Sequence, residues 1–164
     1  MDHQESLKEE QEQFMRRAID LSYFGFQHNH GNPFGSVVVR NESIIGEGWN
    51  RVKQLNDPSA HAELMAIRDA CAKLGMPTLT GCTIYASGQP CPMCLSLIYL
   101  VGIEKVYYCI PGERTASMDP RLSVAHIYHA IAMPQHERPV RELQVMPDEI
   151  EKAIARYQEI RKSS

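Results

Sequence analysis

Strand-like runs alternate with helical periodicity along this chain, and that alternation limits the fold more than any single motif. Val37-Val38-Val39 centres a β-branched run over 34–40, and 44–50 reads as a return strand antiparallel to it. Ala62, Leu64, Ala66, Ile67 and Ala70 recur at helical spacing and predict a helix over 60–74, closed by Gly75. A strand over 82–86, a helix over 91–101 closed by Gly102, and a strand over 104–110 follow. Upstream, Phe14, Met15, Ala18, Ile19, Leu21 and Phe24 predict a first helix over 5–27, with a loop over 28–33. Downstream, Asp119-Pro120 opens a predicted helix through Met133, 134–139 is a loop, and 142–146 is a predicted last strand. A charged helix over 148–161 ends the pattern, with Ile150, Ile154, Tyr157 and Ile160 on one face expected to pack on the sheet. The order predicts an α/β fold whose mixed sheet is covered by helices on both faces. No linker divides the chain, so residues 1–164 read as one domain.

At 164 residues such a domain removes ~70% of its unfolded surface from water and needs no disulfide staples. Apolar residues make up 43% and charged residues 23%, a globular composition without low-complexity signature. No apolar run reaches the ~18 residues of a membrane span, and the start Met1-Asp2-His3-Gln4-Glu5 is unlike a secretory or transit peptide. The cytoplasm is therefore the expected compartment. A net charge of −3 disfavours a nucleic-acid partner, which usually calls for a basic surplus. Five cysteines, an odd number, read as thiols or metal ligands rather than a disulfide framework.

Two segments carry chemistry. His61-Ala62-Glu63 opens one predicted helix and Pro90-Cys91-Pro92-Met93-Cys94 opens the next. Cysteines three apart on a first helical turn point the same way, and a helix N-terminus favours the thiolate. Pro92 at an early helical position sacrifices no hydrogen bond. A nitrogen of His61 makes a third donor, and three protein donors with an open fourth position are the pattern of catalytic rather than structural zinc. Glu63, two residues on, can reach that fourth position without being a ligand and can move protons there. Taken alone, Cys91-x-x-Cys94 would also suit a redox pair or half of a zinc ribbon, and His61 or Glu63 an ordinary helix start. A ribbon needs a second such pair, and Cys71, Cys82 and Cys109 stand singly. A redox pair explains neither Pro90 nor His61-Ala62-Glu63.

Jointly the two segments, H-x-E and P-C-x-x-C, resemble the signature of zinc nucleobase deaminases. The resemblance to the cytidine deaminase superfamily runs from about residue 14 to 146. It is densest at Asn32-Pro33-Phe34-Gly35, Gly48-Trp49-Asn50, 56–63 and 90–94. Within the superfamily, His126-Ile127-Tyr128 and Glu137-Arg138-Pro139 look more like guanine deaminases than tRNA adenosine deaminases. The resemblance implies a three-layer α/β/α sandwich around a five-stranded sheet, and a homodimer. It implies one Zn2+ per subunit held by His61, Cys91 and Cys94 with water as the fourth ligand, and Glu63 as the catalytic proton carrier. It implies that Asn50 hydrogen-bonds the base, that Phe34 walls the pocket, and that the amides of Ala62 and Cys91 face it. Asp119 lies near the place of a second acidic residue in guanine deaminases. Gln89 stands where the purine and tRNA branches carry Glu. The implied activity is hydrolytic deamination of an amino-substituted heterocycle, guanine first. A tRNA adenosine, cytosine, another amino-purine, a pterin and a triazine remain alternatives.

Overall fold

The structure, a computed structural model, describes residues 3–162. They fall into two units, one up to Ala125 and one from His126. In the first, helix α1 (His3–Gln27) leads through a loop to strand β1 (Gly35–Arg40) and strand β2 (Ser43–Trp49). The hairpin between them turns on Asn41 and Glu42, both at positive φ (48° and 58°). Such a two-residue turn matches the twist of antiparallel strands. β2 is antiparallel to β1, as the pattern of 44–50 predicts, with a bulge at Val38/Val39.

A four-residue helix, α2 (Val52–Leu55), escapes periodicity because it is a single turn. Helix α3 (Ala62–Leu74) and helix α4 (Pro92–Val101) end at Gly75 and Gly102, both at positive φ, as read from the sequence. Between them runs strand β3 (Thr83–Gly88), and after α4 comes strand β4 (Lys105–Ile110). β3 pairs antiparallel with β1 and parallel with β4, giving the order β2-β1-β3-β4.

Alternation along the strands sorts two cores. Val38 and Ile84 pack with Ala66, Ile67, Ala70, Ile98 and Val101 of α3 and α4 on one face. Val37, Val39 and Tyr85 pack with Phe14 and Leu21 of α1 on the other. The mixed sheet thus has helices on both faces. On β2, a Cβ at Gly46 would stand 2.6 Å from the Ala70 Cβ, so α3 lies directly on the strand. Two residues on, a Cβ at Gly48 would overlap the Ala62 carbonyl oxygen, so the start of α3 is also held against β2.

Three expectations need correction. The described residues form four strands rather than five: residues 141–146 carry no regular structure, and none of their amides donates a backbone hydrogen bond among the described residues. Their apolar/polar alternation has strand character, but a strand exists only where an edge pairs with it. The helix predicted from Asp119 to Met133 is divided into helix α5 (Gly112–Met118), a 3-10 turn (Pro120–Leu122) and helix α6 (Ala125–Ala132). Asp119, in extended conformation, caps the turn with its own side chain and so interrupts the helix. The last helix, α7 (Glu151–Lys162), follows a 3-10 turn (Pro147–Ile150), and its Tyr157 is exposed rather than buried.

Candidate active site

The two motifs meet at the starts of α3 and α4. His61 and Cys91 are the N-cap residues of these helices, and neither side chain caps its helix. A residue in that place ordinarily turns its side chain onto the free amides of the first turn. Here the two side chains turn toward each other instead. His61 is aimed by the turn before it. The Asp57 carboxylate accepts from the Ser59 amide (2.8 Å) and hydroxyl (2.7 Å), and the His61 amide donates to the Ser59 carbonyl (2.7 Å). Cys91 follows directly on β3 through Gln89-Pro90, and Pro92 starts α4 without losing a hydrogen bond.

Nδ1 of His61 stands 3.5 Å from the Cys91 sulfur and 3.6 Å from the Cys94 sulfur. All three donor atoms lie within 4.8 Å of one another. A tetrahedral ion with Zn–S of about 2.3 Å and Zn–N of about 2.1 Å places N and S donors about 3.6 Å apart, so the set fits zinc. No fourth protein donor joins the group among the described residues.

Glu63, in the first turn of α3, is buried at 7% exposure, and the Cys94 thiol donates to its Oε2 at 3.6 Å. Burial pushes its carboxyl above the ordinary range. The cysteines share one proton between them. Cys91 is pulled down to about 4, chiefly by its hydrogen bond with Cys94 and then by His61. Cys94 is pushed up by the same contact and by burial. His61 is raised by its hydrogen bond with Cys91. Before metal binding Cys91 is therefore the more acidic of the two thiols, and the His61 imidazole holds its proton more tightly than a free one does.

Asn50 is 3% exposed at the end of β2. Its side-chain oxygen accepts from the amides of Asn32 (3.2 Å) and Val52 (3.3 Å). The Asn50 amide donates to the Phe34 carbonyl at 2.9 Å, which ties these two residues together. Phe34 lays its ring on Gly88 at the end of β3. Ala62 is buried in the first turn of α3, between His61 and Glu63. Gln89 accepts the amide of Gly112 at 2.9 Å, joining the segment before Cys91 to the start of α5. Asp119 is engaged within its own turn. Its carboxylate takes hydrogen bonds from the Arg121 amide and guanidinium (2.6–3.1 Å), which hold it below the ordinary range. His126 and His129 join no such group among the described residues.

The sequence reading did not single out Gly31, the Val52 amide or Gly88. Each acts through a backbone atom or a missing side chain, which residue chemistry does not advertise.

A buried carboxylate beside a His-Cys-Cys zinc set, on helices packed against a mixed sheet, defines a zinc-dependent hydrolytic enzyme. Residues 8–110 match the family model described as the cytidine and deoxycytidylate deaminase zinc-binding region. The chain is 42% identical over 134 residues to a guanine deaminase of Bacillus subtilis (strain 168), covering 82% of this chain and 85% of that protein. A solved structure of guanine deaminase from Bacillus subtilis superposes with a TM-score of 0.82 and 36% identity, covering 96% of this chain and 95% of that one. A tRNA-specific adenosine deaminase of Aquifex aeolicus is 37% identical over 97 residues, covering 59% of this chain and 64% of its own length. The chain belongs to the zinc-binding cytidine and deoxycytidylate deaminase family, and it is a zinc-dependent aminohydrolase. Among the described residues no helix is long and apolar enough to cross a membrane.

Proposed function

We propose that this enzyme hydrolyses free guanine to xanthine and ammonia, with Glu63 as the proton carrier. One observation carries the substrate: the likeness to guanine deaminase extends over nearly the whole chain, whereas the likeness to the tRNA enzyme covers little more than half. Net charge of −3 speaks in the same direction, away from a polyanionic substrate.

His61, Cys91 and Cys94 hold the metal. A zinc ion in a three-donor setting acidifies a water molecule to a pKa near ~7 and polarises what it touches. Glu63 carries the two protons of the attacking water in turn, the first to the ring and the second to the departing amine. Its buried, raised carboxyl suits it to hold each proton between uptake and delivery. The balance is one water in and one ammonia out, with the amine-bearing carbon exchanging a C–N for a C–O bond. Asn50 has its oxygen taken by two backbone amides, so its NH2 edge is the group offered to an acceptor on the base. Phe34 walls the pocket, and the amides of Ala62 and Cys91, at unpaired first-turn positions, face it.

The working form is a homodimer, and residues 1–164 act as one deaminase domain. Supporting this, α4 exposes Tyr99 (77%) and Leu100 (81%), and the 140–146 segment exposes Val140, Leu143 and Val145, apolar surface that a second copy would cover. Five free thiols fit a reducing compartment, the cytoplasm.

Ammonia release from zinc-loaded protein tests the reading, using guanine, adenine, cytosine, a pterin, a triazine and a tRNA. Guanine is expected to lead. Release from the tRNA alone, with binding that weakens steeply in salt, would replace guanine by adenosine in RNA.

A further inference from the structure

The loop before β1 and the end of β2 are joined by side chains as well as by backbone. Trp49, the single tryptophan of the chain, is half-buried, and its Nε1 donates to Nδ1 of His30 at 2.9 Å. The indole is confined around that bond. A Cβ at Gly25 of α1 would stand 2.5 Å from Trp49 Cδ1, and Phe24 meets the indole edge-on with ring centroids 5.0 Å apart. The Arg51 guanidinium lies over the ring, 5.5 Å from its centroid. An indole N–H can only donate, so Nδ1 of His30 is bare and the ring proton sits on Nε2. His28, its ring centroid 5.6 Å from that of His30, is fixed the other way, because its Nδ1 donates to the Phe24 carbonyl at 2.8 Å. Of the two histidines, His30 is the one that bonds to β2.

Asn50, the group proposed to orient the base, follows Trp49 directly. Its side-chain oxygen abuts Gly31 and accepts from the amides of Asn32 (3.2 Å) and Val52 (3.3 Å). Both bonds lie at or beyond the long end of the ordinary N–H···O range, so a small shift of the loop is enough to lose them. The His30 carbonyl accepts from the Gln54 amide and the Phe34 carbonyl from the Asn50 amide, each at 2.9 Å. Residues 31 and 32, which touch the Asn50 oxygen, hang between those two backbone bonds. The shorter His30–Trp49 bond ties the same stretch to β2 one residue before Asn50.

We infer that His30 is a positioning residue for Asn50: by accepting the Trp49 indole N–H, it holds the loop where the Asn50 carboxamide presents its NH2 edge to the base. This rests on the reading that Asn50 holds the base, and it does not depend on which base is the substrate. His30 itself touches neither the base nor the metal donors in this account; it acts through Trp49 and the loop.

The test uses zinc-loaded, full-length protein and the base of the panel above that wild type deaminates fastest. His30→Leu keeps the bulk and removes the acceptor. It should raise KM about fivefold, the worth of one part-buried hydrogen bond, with kcat within about twofold. His30→Asn puts an oxygen where Nδ1 stands and should recover most of that loss. In a Trp49→Phe background, which has no N–H to offer, His30→Leu should change KM by less than about twofold. Trp49 emission, read without substrate, follows the bond itself: it should shift in His30→Leu and return in His30→Asn. An unchanged KM or emission in His30→Leu, no recovery in His30→Asn, or the full rise in the Trp49→Phe background would overturn the inference. Asn50→Ala separates this from the reading beneath it, and should raise KM by more than His30→Leu does. An unchanged KM in Asn50→Ala, or no turnover of any base by wild type, would overturn that reading and the inference with it.

Discussion

Gly31 lies directly against Asn50: a Cβ at position 31 would overlap the Asn50 side-chain oxygen and stand 3.0 Å from its Cγ. The same oxygen accepts from the Asn32 and Val52 amides, so the loop both makes the space and holds the side chain in it. Gly31→Ala should displace the Asn50 carboxamide and break that pair of hydrogen bonds. The expected result is a rise in KM for guanine with kcat less affected, and a stability loss of about 1–3 kcal/mol from overpacking. Steady-state kinetics with a urea melt check it. A change in kcat alone would place Gly31 outside substrate orientation.

Glu63→Gln keeps the size of the side chain and removes its capacity to take a proton. The metal donors are His61, Cys91 and Cys94, so zinc content should remain at one ion per chain. Turnover should fall by about 10²–10⁴, the usual contribution of a positioned acid–base group. Metal analysis and ammonia release decide it. Near-normal turnover at full zinc would remove Glu63 from the proton path.

These two residues illustrate what could be read in advance. His61, Glu63, Cys91 and Cys94 were legible because donors at two helix starts, with Gly75 and Gly102 closing those helices, leave few other arrangements. Gly31 and Gly88 were not, because a lone glycine signals a turn, whereas its partner, Asn50 or Phe34, is distant in sequence. Residues 142–146 misled for a different reason. Val140, Leu143 and Val145 punctuate the stretch with apolar side chains as a strand would, yet pairing is a property of two segments, and one segment cannot state it. Asp119 breaks the helix predicted across it through a local hydrogen bond that periodicity does not register.

Zinc uptake should release protons. In the metal-free chain Cys94 holds its thiol proton above the ordinary range, and His61 is raised by Cys91. A bound zinc needs thiolates and a neutral imidazole, so the Cys94 proton must leave, and the His61 proton wherever the pH leaves it on. Affinity should therefore fall as pH falls. Calorimetric titration with zinc in buffers of different ionisation enthalpy counts the protons. Cys91→Ser, which removes the low-lying thiolate, should lose most of the metal; full occupancy in that variant would contradict the donor set.

Acid stability offers a check on a part of the fold remote from the chemistry. Arg17 of α1 donates to both oxygens of Glu47 on β2, at 2.7 and 2.8 Å. That hydrogen bond lowers the Glu47 carboxyl below its reference value of 4.5. A group depressed in the folded state favours folding above its unfolded value and loses that contribution as pH falls through the folded one. Glu47→Gln should thus be less stable than wild type at neutral pH, and the two should converge in acid. Both side chains are partly exposed (45% and 29%), so the difference should stay below ~1 kcal/mol at neutral pH. Urea midpoints at a series of pH values measure it. A gap that widens in acid would mean that Glu47 favours the fold through something other than its charge on Arg17.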